Sequence, residues 1–163
     1  MRILGVDPGS RITGFGIIES QGGRLSHVAH GCIKAGNGEL PDKLYQLFSG
    51  ISGVITEHKP DEIAVEDVFM AKNAASALKL GQARGALIAA CAHAGLPLQS
   101  YSPTATKQAV VGFGRAEKGQ MQHMVKLVLG LHDGIQEDAA DALGVAICHA
   151  HHVPMRRKLA AAV

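Results

Sequence analysis

The rhythm of apolar and polar positions changes along the chain, and each change marks an element. Residues 2–7, Arg-Ile-Leu-Gly-Val-Asp, are apolar on both faces, as a central strand is. The turn Asp7-Pro8-Gly9-Ser10 follows, with Pro and Gly in the order that turns favour. Thr13 to Glu19 then alternates, with Thr13, Phe15 and Ile17 on one face and Gly14, Gly16 and Ile18 on the other. Gly22-Gly23 makes a hairpin into a third strand, Leu25–Lys34. From Leu40 the period is helical: Leu40, Leu44, Leu47, Ile51, Val54 and Ile55 recur at three- and four-residue steps and must stop before Pro60. A short strand, 62–66, precedes a long Ala-rich helix from Asn73 to Ala94, which Gly95 ends. A last strand spans 96–100. Ser102-Pro103 opens a short helix, a Gly-rich loop covers Gly112 to Gly119, another helix follows, and Gln136 to His151 is the final one. Three antiparallel strands and then two alternating with helices predict an α/β fold: a five-stranded mixed sheet flanked by helices.

A chain of 163 residues makes one domain with a sizeable core, expected over 1–154, with 155–163 as a flexible tail. That tail holds Arg156, Arg157 and Lys158 before Leu-Ala-Ala-Ala-Val. The net charge of +2 does not by itself announce a nucleic-acid partner. Clustering of the carboxylates in one place would leave the rest of the surface more basic than the total. Cys32, Cys91 and Cys148 are widely spaced and odd in number, which fits reduced thiols and neither a disulfide scaffold nor a zinc site. The chain runs from Met1 straight into a strand, which leaves no room for a signal peptide. The longest apolar stretch, Ala86 to Leu98, contains His93 and is too short to span a bilayer. A cytoplasmic protein without a membrane partner is the expectation.

Four carboxylates carry the chemistry. Asp7 closes the first strand, Glu66 closes the fourth, and Asp138 and Asp141 open the last helix. Unpaired charge at the end of a core strand costs several kcal/mol or shifts its pKa, so a cation is implied. Asp138 and Asp141 are one helical turn apart, about 5–6 Å between Cβ atoms, on the same face. Two like charges that close need the helix N-terminal dipole and a cation to offset them. Oxygen-only ligands point to Mg²⁺ or Mn²⁺, and four carboxylates carry charge for two ions. Two such ions clamp the attacking and leaving oxygens of a phosphoryl displacement, so the implied reaction is phosphodiester hydrolysis. Taken singly, Asp7 is equally a turn residue and Asp138 equally a helix cap. His149, His151 and His152 resemble a metal cluster, but His149 lies roughly 16 Å along the helix from Asp138. A core-edge or solvated helix end is the reading for them.

Five segments match a known family: Asp7-Pro-Gly-Ser-Arg-Ile-Thr-Gly-Phe-Gly, Glu66-Asp-Val-Phe-Met-Ala-Lys-Asn, Ala77-Leu-Lys-Leu-Gly-Gln-Ala-Arg-Gly, Ala116-Glu-Lys and Asp138-Ala-Ala-Asp-Ala-Leu. In this order they closely resemble the RuvC family of bacterial Holliday-junction resolvases, over all but Met155–Val163. The resemblance implies a ribonuclease H-like fold and a homodimer. It also implies Mg²⁺-dependent symmetric nicking of four-way junction DNA in recombination and repair, with two ions per site and Mn²⁺ as a substitute. Asp7, Glu66, Asp138 and Asp141 are then the metal ligands. Lys107 and Lys118 match lysines near the active site, where an ammonium can stabilise the phosphorane charge; each is otherwise an ordinary surface lysine. Phe69 matches an aromatic that meets DNA bases, with a core role as the alternative. Lys72, Asn73, Lys79, Arg84 and Arg115 are further DNA-contact positions on the same basis. The branch-migration complex of RuvA and RuvB is an implied partner.

The helix from Asn73 to Ala94 carries Ala74, Ala77, Gly81, Gly85 and Ala89 on one side, suited to close packing within the monomer or across a two-fold axis; the resemblance favours the dimer. Phe113 in the Gly-rich loop and Pro103 before Lys107 depart from the family pattern. Rival readings are an actin- or sugar-kinase-type ATPase, which needs two such domains, a nuclease of this fold acting on RNA, and a non-catalytic junction-binding module. The last gains nothing from four clustered negative charges.

Overall fold

The computed structural model describes residues 1–67, 73–112, 114 and 117–160, with main chain alone at Lys118 and Ala160. In chain order the elements are β1 (Arg2–Asp7), β2 (Ile12–Gln21), β3 (Arg24–Lys34), α1 (Leu40–His58), β4 (Glu62–Glu66), α2 (Ala74–His93), β5 (Leu98–Tyr101), α3 (Pro103–Val111), α4 (Lys118–Leu129) and α5 (Glu137–Ala160). The strands form one sheet in the order β3-β2-β1-β4-β5. β1, β2 and β3 pair antiparallel, whereas β4 and β5 join in parallel. This is the five-stranded mixed sheet that the sequence pattern predicts. Among the described residues no helix is long and apolar enough to cross a membrane.

Both faces of the sheet are covered, which explains why β1 and β4 are apolar on both sides. Leu4, Val6, Ile17, Ile63 and Val65 pack against Leu47 and Ile51 of α1 and Leu87 of α2. On the opposite face, Ile3 and Ile18 pack against Val125 of α4 and Leu143 and Ile147 of α5. Leu143 and Ile147 are fully buried, each contributing about 2 kcal/mol by area.

Three glycines let α5 lie directly on the sheet. Gly5 of β1 pairs with Gly16 of β2, and Asp7 pairs with Gly14. A Cβ on Gly5 would stand 2.0 Å from the Ala142 carbonyl oxygen, and one on Gly14 would stand 1.9 Å from that of Asp138. On Gly16 it would meet the Leu143 side chain at 2.6 Å. Larger residues there would lift the helix away, so the Gly-Phe-Gly of β2 sets how closely Asp138 and Asp141 approach the end of β1.

The final helix departs from its expected end. It does not stop at His151 but continues through Pro154 to Ala160. Val153 is buried beyond the expected end, and Arg156 and Arg157 reach Glu62 at 3.9 and 3.6 Å. His149 is a second correction: it is fully buried and not at a core edge. Its Nε2 lies 2.9 Å from Glu62 Oε2, and its Nδ1 lies 3.0 Å from the Tyr101 hydroxyl. Burial holds the imidazole below its ordinary pKa against the pull of Glu62. A neutral ring with Nε2–H donating to Glu62 and Nδ1 accepting from Tyr101 satisfies both partners. His149→Ala leaves a cavity and two polar groups without their partner, so urea unfolding should show a loss of about 2–4 kcal/mol. An unchanged midpoint would mean that the network contributes nothing.

Candidate active site

The parallel pairing of β1 and β4 sets Val6 beside Val65, so Asp7 and Glu66 emerge side by side from the carboxyl ends of two central strands. Crevices at such strand ends are where open α/β sheets bind ligands. α5 begins at Glu137 and delivers Asp138 and Asp141 from its first turns. All four carboxylates line one cavity of about 310 Å³, together with Glu137, Thr106 and Lys107. Its other wall is the start of α3. There the Ser102 hydroxyl caps the helix by accepting from the Ala105 N–H at 3.2 Å, and Pro103 occupies the first turn. Pro103 therefore initiates α3 in the ordinary way and turns Lys107 toward the carboxylates.

Negative charge is crowded in this cavity. Burial, then Glu66, Asp141 and Asp138, push the Asp7 carboxyl up to about 8. Burial and then Asp141 push Glu66 up to about 7, while a hydrogen bond with Asp7 and the Lys107 ammonium pull it back. The shared hydrogen bond favours charge on Glu66 and the proton on Asp7, so the two titrate as a pair. A carboxyl whose folded pKa exceeds its unfolded value near 4 binds more protons when folded. Its stabilising contribution is therefore complete below about pH 4 and is lost as pH rises through the folded values. In chelator, stability should fall between pH 5 and pH 8 with a slope of up to about 1.4 kcal/mol per pH unit for each proton released. Asp7→Asn should flatten that slope; urea titrations at several pH values measure it, and an equally steep profile in the variant would contradict the assignment.

The donor set fits a hard divalent cation in chemistry and charge, since it is all oxygen and the neighbouring carboxylates push Asp7 and Glu66 up. Ligating distances are a separate matter. Among the described residues no three His, Cys, Asp or Glu side chains stand close enough to hold an ion as placed. Holding one requires side-chain rotation within the shared cavity.

Other residues singled out by sequence have varied placements. Lys107 is half-buried on the cavity wall. Lys118 opens α4, with only its main chain described. Asn73 caps α2 through its side-chain oxygen, 2.9 Å from the Ser76 N–H. Lys79 is exposed. Arg84 is turned inward: its guanidinium donates to Asp67 at 2.6 Å, to Ser100 at 2.9 Å and to the Glu66 carbonyl at 3.3 Å. That arrangement braces the end of β4 and occupies the side chain expected to meet DNA. Phe69, Lys72, Phe113 and Arg115 lie outside the described residues. Glu137 and Thr106 were not singled out by sequence. Glu137 was legible as a third acid in one helical turn; Thr106, buried on the cavity wall, gave no signal.

Comparison with known proteins bears on the same residues. Residues 3–149 match the family described as Crossover junction endodeoxyribonuclease RuvC. A protein of that name from Shewanella frigidimarina is 60% identical over 149 residues, covering 91% of this chain and 86% of the relative. Its namesake from a Geobacter species is 56% identical over 156 residues, covering 95% of each. Among solved structures, T. thermophilus RuvC in complex with a Holliday junction substrate superposes with a TM-score of 0.89 at 30% identity, covering 96% of both chains.

Proposed function

The chain belongs to the RuvC family of crossover junction endodeoxyribonucleases, and from that premise we propose that it resolves four-way DNA junctions by metal-dependent phosphodiester hydrolysis at the four-carboxylate cavity. The observation that carries this reading is the convergence of Asp7, Glu66, Asp138 and Asp141 on one cavity, with mutual repulsion raising two of them. The cation best suited to these oxygens is Mg²⁺, with Mn²⁺ as a substitute. When bound, it supplies a nucleophile at neutral pH and offsets charge on the displaced oxygen.

The chain's own groups divide the remaining work. Asp7 and Glu66 would hold the cation, whose positive charge would lower both carboxyls and release the proton they share to solvent, leaving both as acceptors. Asp138 and Asp141 sit in the first turns of α5, where the helix dipole partly offsets their charge. Lys107 faces the carboxylates from α3 and is suited to hold a non-bridging oxygen of the scissile phosphate.

A two-fold assembly suits a junction of near two-fold symmetry. In support, Ala74, Ala77, Gly81, Gly85 and Ala89 of α2 are all exposed, and a Cβ on Gly81 or Gly85 would meet nothing within 4 Å. Leu78 beside them is 64% exposed. A second copy of α2 could approach such a surface closely.

Synthetic four-way junctions compared with linear duplex, with Mg²⁺ and with chelator, test the reading. Paired nicks that a ligase can seal, confined to the junction with Mg²⁺, are expected. Equal cutting of duplex, or cutting in chelator, would contradict it.

A further inference from the structure

We propose that Met121 is a positioning residue for the cutting reaction: seated in the notch that Gly144 leaves on α5, it fixes the wall of the cavity that carries Lys107. This rests on the junction-cutting reading above.

The notch continues the catalytic stripe of α5. Gly144 stands one helical turn beyond Asp141, as Asp141 stands one turn beyond Asp138. Glycine inside a helix is unfavourable in itself, and Gly144 is not among the glycines of positive φ. Its lack of a side chain therefore answers to packing. A Cβ there would stand 2.1 Å from the Met121 Cε methyl, 3.5 Å from Thr106 Cγ2 and 3.7 Å from Val110 Cγ2. Carbon atoms meet at about 3.5–4.0 Å, so the methyl occupies the place that a side chain at 144 would take.

Three helices converge at this point. Thr106 and Val110 are the buried residues of α3, and both face the notch, so α3 rests on α5 here. On α4, Gly119 and Gln120 are exposed, whereas Met121 is buried. The next buried residue is Val125, a turn further on. Met121 is therefore what seats the start of α4.

The same contact borders the active site. Met121 and Thr106 line the cavity that holds the four carboxylates, and Lys107 directly follows Thr106. The Lys107 ammonium is close enough to act on the Glu66 carboxyl. A methionine displaced from the notch is flexible enough to turn, but the open space beside it is the catalytic cavity. Relief of a clash at 144 therefore comes at the expense of the site: either the methyl enters the cavity, or α3 shifts and carries Lys107 with it.

The test compares single-turnover cleavage of a synthetic four-way junction in Mg²⁺ with junction binding in chelator. The variants are Gly144→Ala, Gly144→Ala combined with Met121→Val, and Leu129→Ala. Gly144→Ala should slow cleavage by about 10- to 10²-fold, the scale of a displacement near 1 Å, with junction affinity unchanged. Adding Met121→Val removes about the volume that the new methyl group brings and should restore most of the lost rate. Leu129 is buried at the far end of α4, roughly 12 Å along the helix from Met121. Leu129→Ala should lower the melting temperature and leave the rate per folded molecule unchanged. Wild-type cleavage by Gly144→Ala would overturn the proposal, as would a double variant no faster than Gly144→Ala alone. Equal slowing by Leu129→Ala would make the effect general destabilisation and overturn it too. Wild-type chain that fails to nick junctions would instead bring down the reading on which the proposal rests.

Discussion

Asp141→Asn should bind a four-way junction and fail to cut it. Asp141 lines the cavity and is the carboxylate that most raises Glu66. The amide keeps the shape of the side chain but surrenders its charge, so a cation loses a ligand while the cavity loses a source of repulsion. Those two effects have opposite signs for catalysis and for stability. Single-turnover cleavage should slow on the order of 10³-fold, about 4 kcal/mol of barrier. Junction affinity should hold or improve, because a negative charge near the phosphate has gone. Stability in chelator should not fall, and Glu66 should titrate closer to its ordinary range. Quenched-flow cleavage, binding and urea unfolding on one preparation separate these outcomes. Normal cutting in Mg²⁺ would remove Asp141 from the site.

Gly14→Ala should be nearly as damaging, although this residue has no functional group. Its Cβ would stand 1.9 Å from the Asp138 carbonyl oxygen and 2.3 Å from the carbonyl carbon. Both belong to main chain, so the conflict cannot be relieved by a rotamer change. The start of α5 must move by more than about 1 Å to restore contact distance. That movement carries Asp138 and Asp141 away from Asp7 and Glu66. Misplacement on this scale costs about 10²-fold in rate, and overpacking adds about 1–3 kcal/mol of destabilisation. Gly53→Ala is the control: its Cβ meets nothing within 4 Å in the interior of α1, so it should gain about 0.5–1 kcal/mol and keep full activity. If Gly14→Ala cuts at the wild-type rate, the distance between helix and sheet does not govern the site.

Local chemistry made much of this legible. Glu62–Glu66 was bounded correctly because β-branched and Ala residues run between Pro60 and a carboxylate, and Asp7 was placed because Pro8 and Gly9 force the chain to turn. The pairing of Asp138 with Asp141 needed only the helical period. What escaped was non-local. His149 was read as a helix-edge residue because its partner Glu62 is 87 residues away, and no period in either segment announces the other. The extension of α5 was missed for a related reason: Pro154 and the Arg-Arg-Lys run look like a helix ending until Glu62 supplies the opposing charge. The contacts of Arg84 with Asp67 and Ser100 were likewise not legible, since nothing local shows that the two converge on it. Gly14 and Gly16 read as one face of an alternating strand; only the helix lying on them makes their lack of side chains a requirement.

The central claim, that these four side chains jointly hold the catalytic cation, is tested most directly by Mn²⁺ uptake in the absence of DNA, followed by electron paramagnetic resonance. Wild-type chain should bind the ion in the range that supports cleavage, and Asp7→Asn combined with Asp138→Asn should abolish that uptake while the protein stays folded. Undiminished uptake by the double variant would mean that the ion resides elsewhere.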